Sequence, residues 1–262
     1  MDLGILGKRA LVLASSRGLG LGVAQSLAAE GATVMLCGRN QERLAEAAAA
    51  INAKGAGRAA YAVADLRSIE AAAALIDATG RELGAVDILV NNSGGPPAAS
   101  VLSVTPQQWQ EQIDAMMLPI FEMTRQVLPG MQARGWGRIL TIVSSGVAQP
   151  IPNLAISNAL RASLVGWNKT LAAEVAADGV TANVILPGRI ATERITELDQ
   201  ISAKREQKTA EEIAIASRAS IPAKRYGTVA EFAAMAAFLC SAPASYVTGS
   251  QVRVDGGMIR SI

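Results

Sequence analysis

Seven short aliphatic runs punctuate the chain, at residues 10–14, 33–37, 59–64, 88–90, 139–143, 182–186 and 252–254. Between them lie longer segments of helical pattern, at 20–30, 41–54, 68–83, 106–133, 153–177 and 229–241. This alternation constrains the fold more than any other feature. Most of the runs are continuously apolar, as expected for strands covered on both faces. Strand and helix in turn imply right-handed crossovers and a parallel sheet between helical layers. The expectation is an α/β protein with a doubly wound seven-stranded sheet, one domain over residues 1–262. There is no internal repeat and no linker rich in Gly, Pro or Ser.

Composition narrows the chemistry. Hydrophobic residues make up 50% and aromatics only 3%, so the core must be aliphatic. A chain of 262 residues buries such a core without staples. Cys37 and Cys240 are too few and too far apart for a disulfide framework or a zinc site, so no metal is expected. The chain has no histidine, which excludes every histidine-based mechanism, the Ser-His-Asp triad included. A net charge of +2 gives no general reason for a nucleic-acid or membrane partner. The cluster Lys204, Arg205 and Lys208 is flanked by acids and reads as a solvated helix face. No apolar run reaches membrane-spanning length and the N-terminus does not read as a signal peptide, so a cytoplasmic location is expected.

The stretch 189–225 breaks the rhythm by turning polar. It follows the sixth strand, at the edge where open α/β sheets bind ligands. It reads as a substrate lid of one or two short helices, or as a solvated insertion.

After the first strand the chain runs Ala14-Ser15-Ser16-Arg17-Gly18-Leu19-Gly20 into a helix. Such a turn lets backbone approach a pyrophosphate, and the helix N-terminus offers free N–H groups. Further on stand Asn91-Asn92-Ser93-Gly94, Ser144, Asn183-Val184-Ile185-Leu186-Pro187-Gly188 and Asp255-Gly256-Gly257. In this order and spacing the set resembles the short-chain dehydrogenase/reductase family, from about Gly7 to Gly257. Ile139 to Ser144 and Ser245-Tyr246-Val247-Thr248-Gly249 are most similar to its 3-oxoacyl-[acyl-carrier-protein] reductase branch.

That resemblance implies a Rossmann-type fold and a nicotinamide cofactor. It places Ser16, Arg17, Gly18, Leu19 and Gly20 at the pyrophosphate turn and Asp65 at the adenine. Asn91, Ser93 and Gly94 line the cofactor, and Pro187, Gly188 and Thr192 meet the carboxamide. The family has a glycine where this chain has Ala14. The second strand ends in Cys37-Gly38-Arg39 without an acid, so Arg39, with Arg17, favours NADP(H) over NAD(H). The partners implied are a small-molecule or acyl-thioester substrate and further copies of the chain. A homotetramer or homodimer would form through the helices at 106–133 and 153–177.

The catalytic positions depart from the family. Ser144 fits the serine that holds the substrate oxygen. Aligned on Ser157-Asn158-Ala159, the tyrosine position falls on Leu154 and the lysine position on Asn158. The interval from Ser144 to Leu154 is ten residues, about three short of the family's spacing. The asparagine position, seven after Trp109, holds Met116. Tyr61, Tyr226 and Tyr246 are remote in sequence, and Lys169 is about three helical turns beyond Asn158. Arg161 either faces the site, for an anionic substrate or an oxyanion, or serves a subunit contact. The expected function is an NAD(P)(H)-dependent oxidoreductase, reducing a carbonyl or 3-oxoacyl group by resemblance, with an atypical site. The alternative is an NADP(H)-binding sensor or partner subunit with little or no redox turnover. A third reading is another reaction on the bound cofactor, with Ser144 and water relaying the proton.

Overall fold

All seven expected strands form: β1 (Arg9–Val12), β2 (Thr33–Gly38), β3 (Arg58–Val63), β4 (Ile88–Asn91), β5 (Gly137–Ile142), β6 (Val180–Pro187) and β7 (Gln251–Val254). They make one parallel sheet in the order β3-β2-β1-β4-β5-β6-β7. This computed structural model describes residues 1–261, Ile69 by its backbone alone. Alternate residues of the inner strands feed the two cores. Ala10, Val12, Val34 and Leu36 pack under α1 (Gly18–Ala29), α2 (Gln41–Asn52) and, later in the chain, the helix Val229–Leu239. Leu11, Leu13, Met35 and Leu89 pack on the other face. There they meet α3 (Ile69–Leu83), α5 (Leu118–Ala133) and α6 (Ala155–Val175). Burial on both faces is why these runs read as continuous rather than alternating.

One expected helix is two. The segment 106–133 divides into α4 (Pro106–Met116) and α5, with Met117 between them. Pro119 lacks the N–H that would bond the carbonyl of Ala115, and its ring crowds that turn. The chain therefore bends beside Met116, which is 2% exposed and faces the functional cleft.

The polar stretch after β6 folds into α7 (Glu193–Glu206) and α8 (Ala210–Ser220), followed by α9 (Val229–Leu239). Thr209 and Glu212 form a capping box that starts α8. Under α7, Asp199 accepts from Arg189 Nη1 at 2.8 Å and from the Tyr226 hydroxyl at 2.8 Å. These bonds tie the two-helix segment to the tip of β6.

Candidate active site

The strand order reverses between β1 and β4, and a cavity of about 970 Å³ opens over the C-terminal strand tips there. That is where an open α/β sheet holds a ligand.

Its outer end lies over β1, β2 and β3. The turn after β1 supplies Ser16, Arg17, Gly18 and Leu19 to the wall, and Arg39 and Asp65 follow from the next two strands. The first turn of α1 has no side-chain cap and no acidic residue. Its N–H groups are left for an anion, as a dinucleotide pyrophosphate requires. Ala14 holds φ +47°, a left-handed conformation that glycine adopts without strain, where the family has glycine. Gly20 is not in the cavity wall. A Cβ there would lie 2.6 Å from the Ala14 carbonyl oxygen and 2.9 Å from Asn92 Nδ2. Its missing side chain serves close packing of helix against turn, which corrects its placement among the residues that line the pyrophosphate turn.

Arg17 pairs with Glu193 of α7, and Arg43 stands 3.5 Å from the same carboxylate. The Arg17 guanidinium holds the Glu193 carboxyl below the usual carboxylate range. Arg67 does the same to Asp65 from two residues away. Arg43, in the first turn of α2, does not line the cavity and meets the site only through Glu193.

The turn after β4 needs a second correction. Asn91 is fully buried and absent from the wall, and its amide is aimed at Thr124 and Thr141. Asn92, the next residue, lines the cavity and donates to the Ala14 carbonyl at 3.2 Å, bridging the two loops of the switch point. Strand alternation turns neighbours to opposite faces. Ser93 and Gly94 line the cavity as expected, and the buried Ser93 hydroxyl has no partner among the described residues. Pro187, Gly188 and Thr192 also line it.

The inner end lies over β5 and the start of α6. Ser144 caps the short turn Ser145–Val147, its Oγ accepting the Gly146 N–H at 3.0 Å. That bond orients the oxygen and leaves its proton free for a ligand. On α6 the inward stripe is Ser157, Arg161, Leu164 and Asn168, at helical spacing. Leu154, Ser157 and Arg161 line the cavity, and Asn158 does not. Asn158 is turned back on the preceding loop, accepting from Ile151 N at 3.2 Å and donating to Ile151 O at 2.9 Å. The placement of the lysine position at Asn158 is thereby corrected, since a residue in that role must face the cleft.

Arg161 is 7% exposed and donates from Nη1 to the Ile142 carbonyl at 3.0 Å. It makes no salt bridge with any described residue. Burial, with the like charge of Arg194 adding to it, lowers its pKa to about 10, so it stays a cation at neutral pH. No tyrosine and no lysine of the described residues lines the cavity. Tyr226 is engaged with Asp199, Tyr246 is fully exposed, and Lys169 bonds the Gly249 carbonyl. No cluster suited to a metal ion occurs among the described residues, and no helix among them is long and apolar enough to cross a membrane.

Residues 13–259 match the family described as enoyl-(acyl carrier protein) reductase. The 3-oxoacyl-[acyl-carrier-protein] reductase of Vibrio harveyi is 35% identical over 254 residues, covering 96% of this chain and 97% of the relative. The chain belongs to the short-chain dehydrogenase/reductase family. Among solved members, L-sorbose reductase of Gluconobacter frateurii, in complex with NADPH and L-sorbose, superposes with a TM-score of 0.94. It is 33% identical, and all of both chains is covered. An NAD⁺-bound xylitol dehydrogenase superposes at 0.90 with 27% identity, covering 97% of this chain and 99% of that one. The 3-oxoacyl reductase-like resemblance and the Rossmann-type sheet stand with these matches.

Proposed function

We propose that this chain is an NADP(H)-dependent short-chain oxidoreductase that reduces a carbonyl group through an atypical centre of Ser144, Ser157 and Arg161. One observation carries the reading. Ser157 stands thirteen residues after Ser144, the family's serine–tyrosine spacing, and Arg161 follows four later, where the lysine belongs. Both line the cavity with Ser144. In this register no loop is shortened, and the position of the tyrosine is held by a serine.

The cofactor fits the outer end. The uncapped α1 N-terminus suits a pyrophosphate. Arg17 and Arg39, with no acid at the end of β2, suit a 2′-phosphate. Bound there, reduced nicotinamide supplies a hydride to the carbonyl carbon. Charge then builds on the carbonyl oxygen, and the chain must meet it. The Ser144 and Ser157 hydroxyls donate hydrogen bonds to that oxygen. Arg161 stabilises the charge but does not surrender its own proton at neutral pH. The proton comes from water through the serines. Serine is a far weaker acid than a lysine-tuned phenol, and a positioned general acid is worth about 10² to 10⁴ in rate. Turnover on simple ketones is therefore expected to be slow.

Segment 189–225 serves as the lid in this reading, since α7 and α8 contribute Ile195, Leu198, Ile213 and Ala216 to the wall. Half-buried Met117, Phe121, Val165 and Trp167 on α5, α6 and the bend between α4 and α5 form an apolar face suited to a second copy. The test is single-turnover oxidation of bound NADPH with a 3-oxoacyl thioester. Oxidation that drops about 10²-fold in Ser144→Ala and in Ser157→Ala is expected. Binding of NADPH with no oxidation on any carbonyl compound would instead mark a cofactor-binding sensor.

A further inference from the structure

Seven arginines and three carboxylates line the cavity, and no lysine does. Three of the arginines, Arg17, Arg39 and Arg67, stand at the outer end with Asp65 and Glu193, where cofactor phosphates supply further negative charge. The remaining four belong to the inner end and the lid. Arg189 is paired with Asp199 at 2.8 Å and Arg205 with Glu206 at 3.0 Å. Arg194 reaches across from α7, donating to the Pro96 carbonyl at 2.9 Å and approaching Glu197 at 3.4 Å. It packs so closely on the turn after β4 that a Cβ at Gly95 would sit 3.1 Å from its guanidinium. Of these four, Arg161 alone makes no salt bridge with a described residue.

A buried cation without a counter-charge is costly, and a fold retains one where a ligand completes it. Arg161 uses Nη1 on the Ile142 carbonyl, while Nε and Nη2 form no hydrogen bond to described residues. That free edge is the planar, two-donor edge that matches a carboxylate. Its position fixes how far such a group can be from the reaction. Arg161 is one helical turn from Ser157, and it is anchored two residues before Ser144.

We infer that the site is built for an acceptor bearing its own carboxylate, a 2-oxo or 3-oxo acid. The carboxylate pairs with the Nε and Nη2 edge of Arg161 beneath the lid arginine, Arg194. The inference rests on the reductase reading above and names its substrate class. The carbonyl carbon gains the hydride, its oxygen gains a proton from water, and the hydroxy acid leaves with the cofactor oxidised. Arg194, carried on the lid, adds positive charge at the inner end as the lid docks on Gly95 and Pro96.

The test is calorimetric titration of the protein–NADP⁺ complex, which binds a keto compound without reducing it. 3-Oxobutanoate, longer 2-oxo and 3-oxo acids and their methyl esters are the probes. The acids are expected to bind about 10- to 100-fold more tightly than their esters. That ratio should fall at least about fivefold in Arg194→Met and in Arg161→Lys, which keeps the charge but loses the two-donor edge. Esters that bind as well as acids to the unmodified protein overturn the inference and leave the reductase reading standing. So does a ratio unchanged in both variants. Failure of NADP⁺ and NADPH to bind at all overturns both together.

Discussion

The two ends of the cleft hold arginines in opposite circumstances. At the outer end, Arg17 in the wall and Arg43 outside it are about half exposed and share Glu193. At the inner end, Arg161 is buried and shares no carboxylate with any described residue. An exposed, paired arginine costs the fold little and its ion pair contributes about 0–1 kcal/mol. It can exchange a protein carboxylate for a ligand phosphate with small change in stability. A buried, unpaired one carries a standing penalty that only a ligand relieves. On the proposed reading, outer arginines tune affinity and the inner one sets what chemistry the site accepts.

The largest effect is expected from Arg161→Met. The folded-state pKa of Arg161 lies below its ordinary value, so its charged form disfavours the fold at every pH below about 10. Removing the charge removes that penalty. The variant should lose no more unfolding free energy in urea than the bond to Ile142 is worth, about 1 kcal/mol, while keto-acid reduction falls about 10²-fold or more. A loss of several kcal/mol would make the guanidinium a structural strut and erase the contrast. The sign of the pH dependence follows too. Acid affinity should hold from neutral pH and decline as pH rises through about 10, when the cation is lost.

A smaller effect is expected at the outer end. Arg39→Asp should weaken NADPH about tenfold relative to NADH, by losing one charge-assisted phosphate contact and adding a repulsive one. Fluorescence titration with both cofactors reads this directly. Equal affinity of the unmodified protein for both would remove the NADP(H) preference. Smallest is Glu193→Gln, which frees Arg17 and Arg43 from a competing carboxylate. NADPH should tighten by no more than about fivefold, the worth of an exposed pair, and the gain should shrink in high salt. Weakened NADPH binding would show that Glu193 supports the closed lid over the cofactor rather than competing with it.

How much of this was legible in the sequence depended on what each element buries. The inner strands read clearly because they are covered on both faces, and the glycine-bearing turn at 14–20 read clearly because strand, turn and helix had to occur together. The division at Met117 was also available, since Pro119 marks it, but the apolar residues on either side hid the bend. Asn91 and Asn92 look equivalent as text, and only the strand's two-residue alternation separates them. The register of α6 is hard to read for a related reason. Positions 154 and 158, like 157 and 161, are four apart, so either pair is a plausible couple on one helical face. The Ser-Asn-Ala text favoured 154 and 158, and the apparent three-residue deletion was the warning. Leu154, Ser157 and Arg161 all line the cavity, and only Asn158 is turned away, bonded to Ile151.

That register is open to direct measurement with paired double variants. Ser157→Tyr with Arg161→Lys rebuilds a phenol and an ammonium thirteen and seventeen residues after Ser144, on the inward stripe of α6. Leu154→Tyr with Asn158→Lys rebuilds them one turn earlier, with the lysine facing the loop at Ile151. Both are compared with the unmodified protein by NADPH oxidation on a neutral 3-oxoacyl thioester. The first pair should gain rate, up to the factor of about 10² to 10⁴ that a positioned general acid supplies, and the second should gain nothing. A gain confined to the second pair would contradict the placement of Ser157 and Arg161 at the centre of this site.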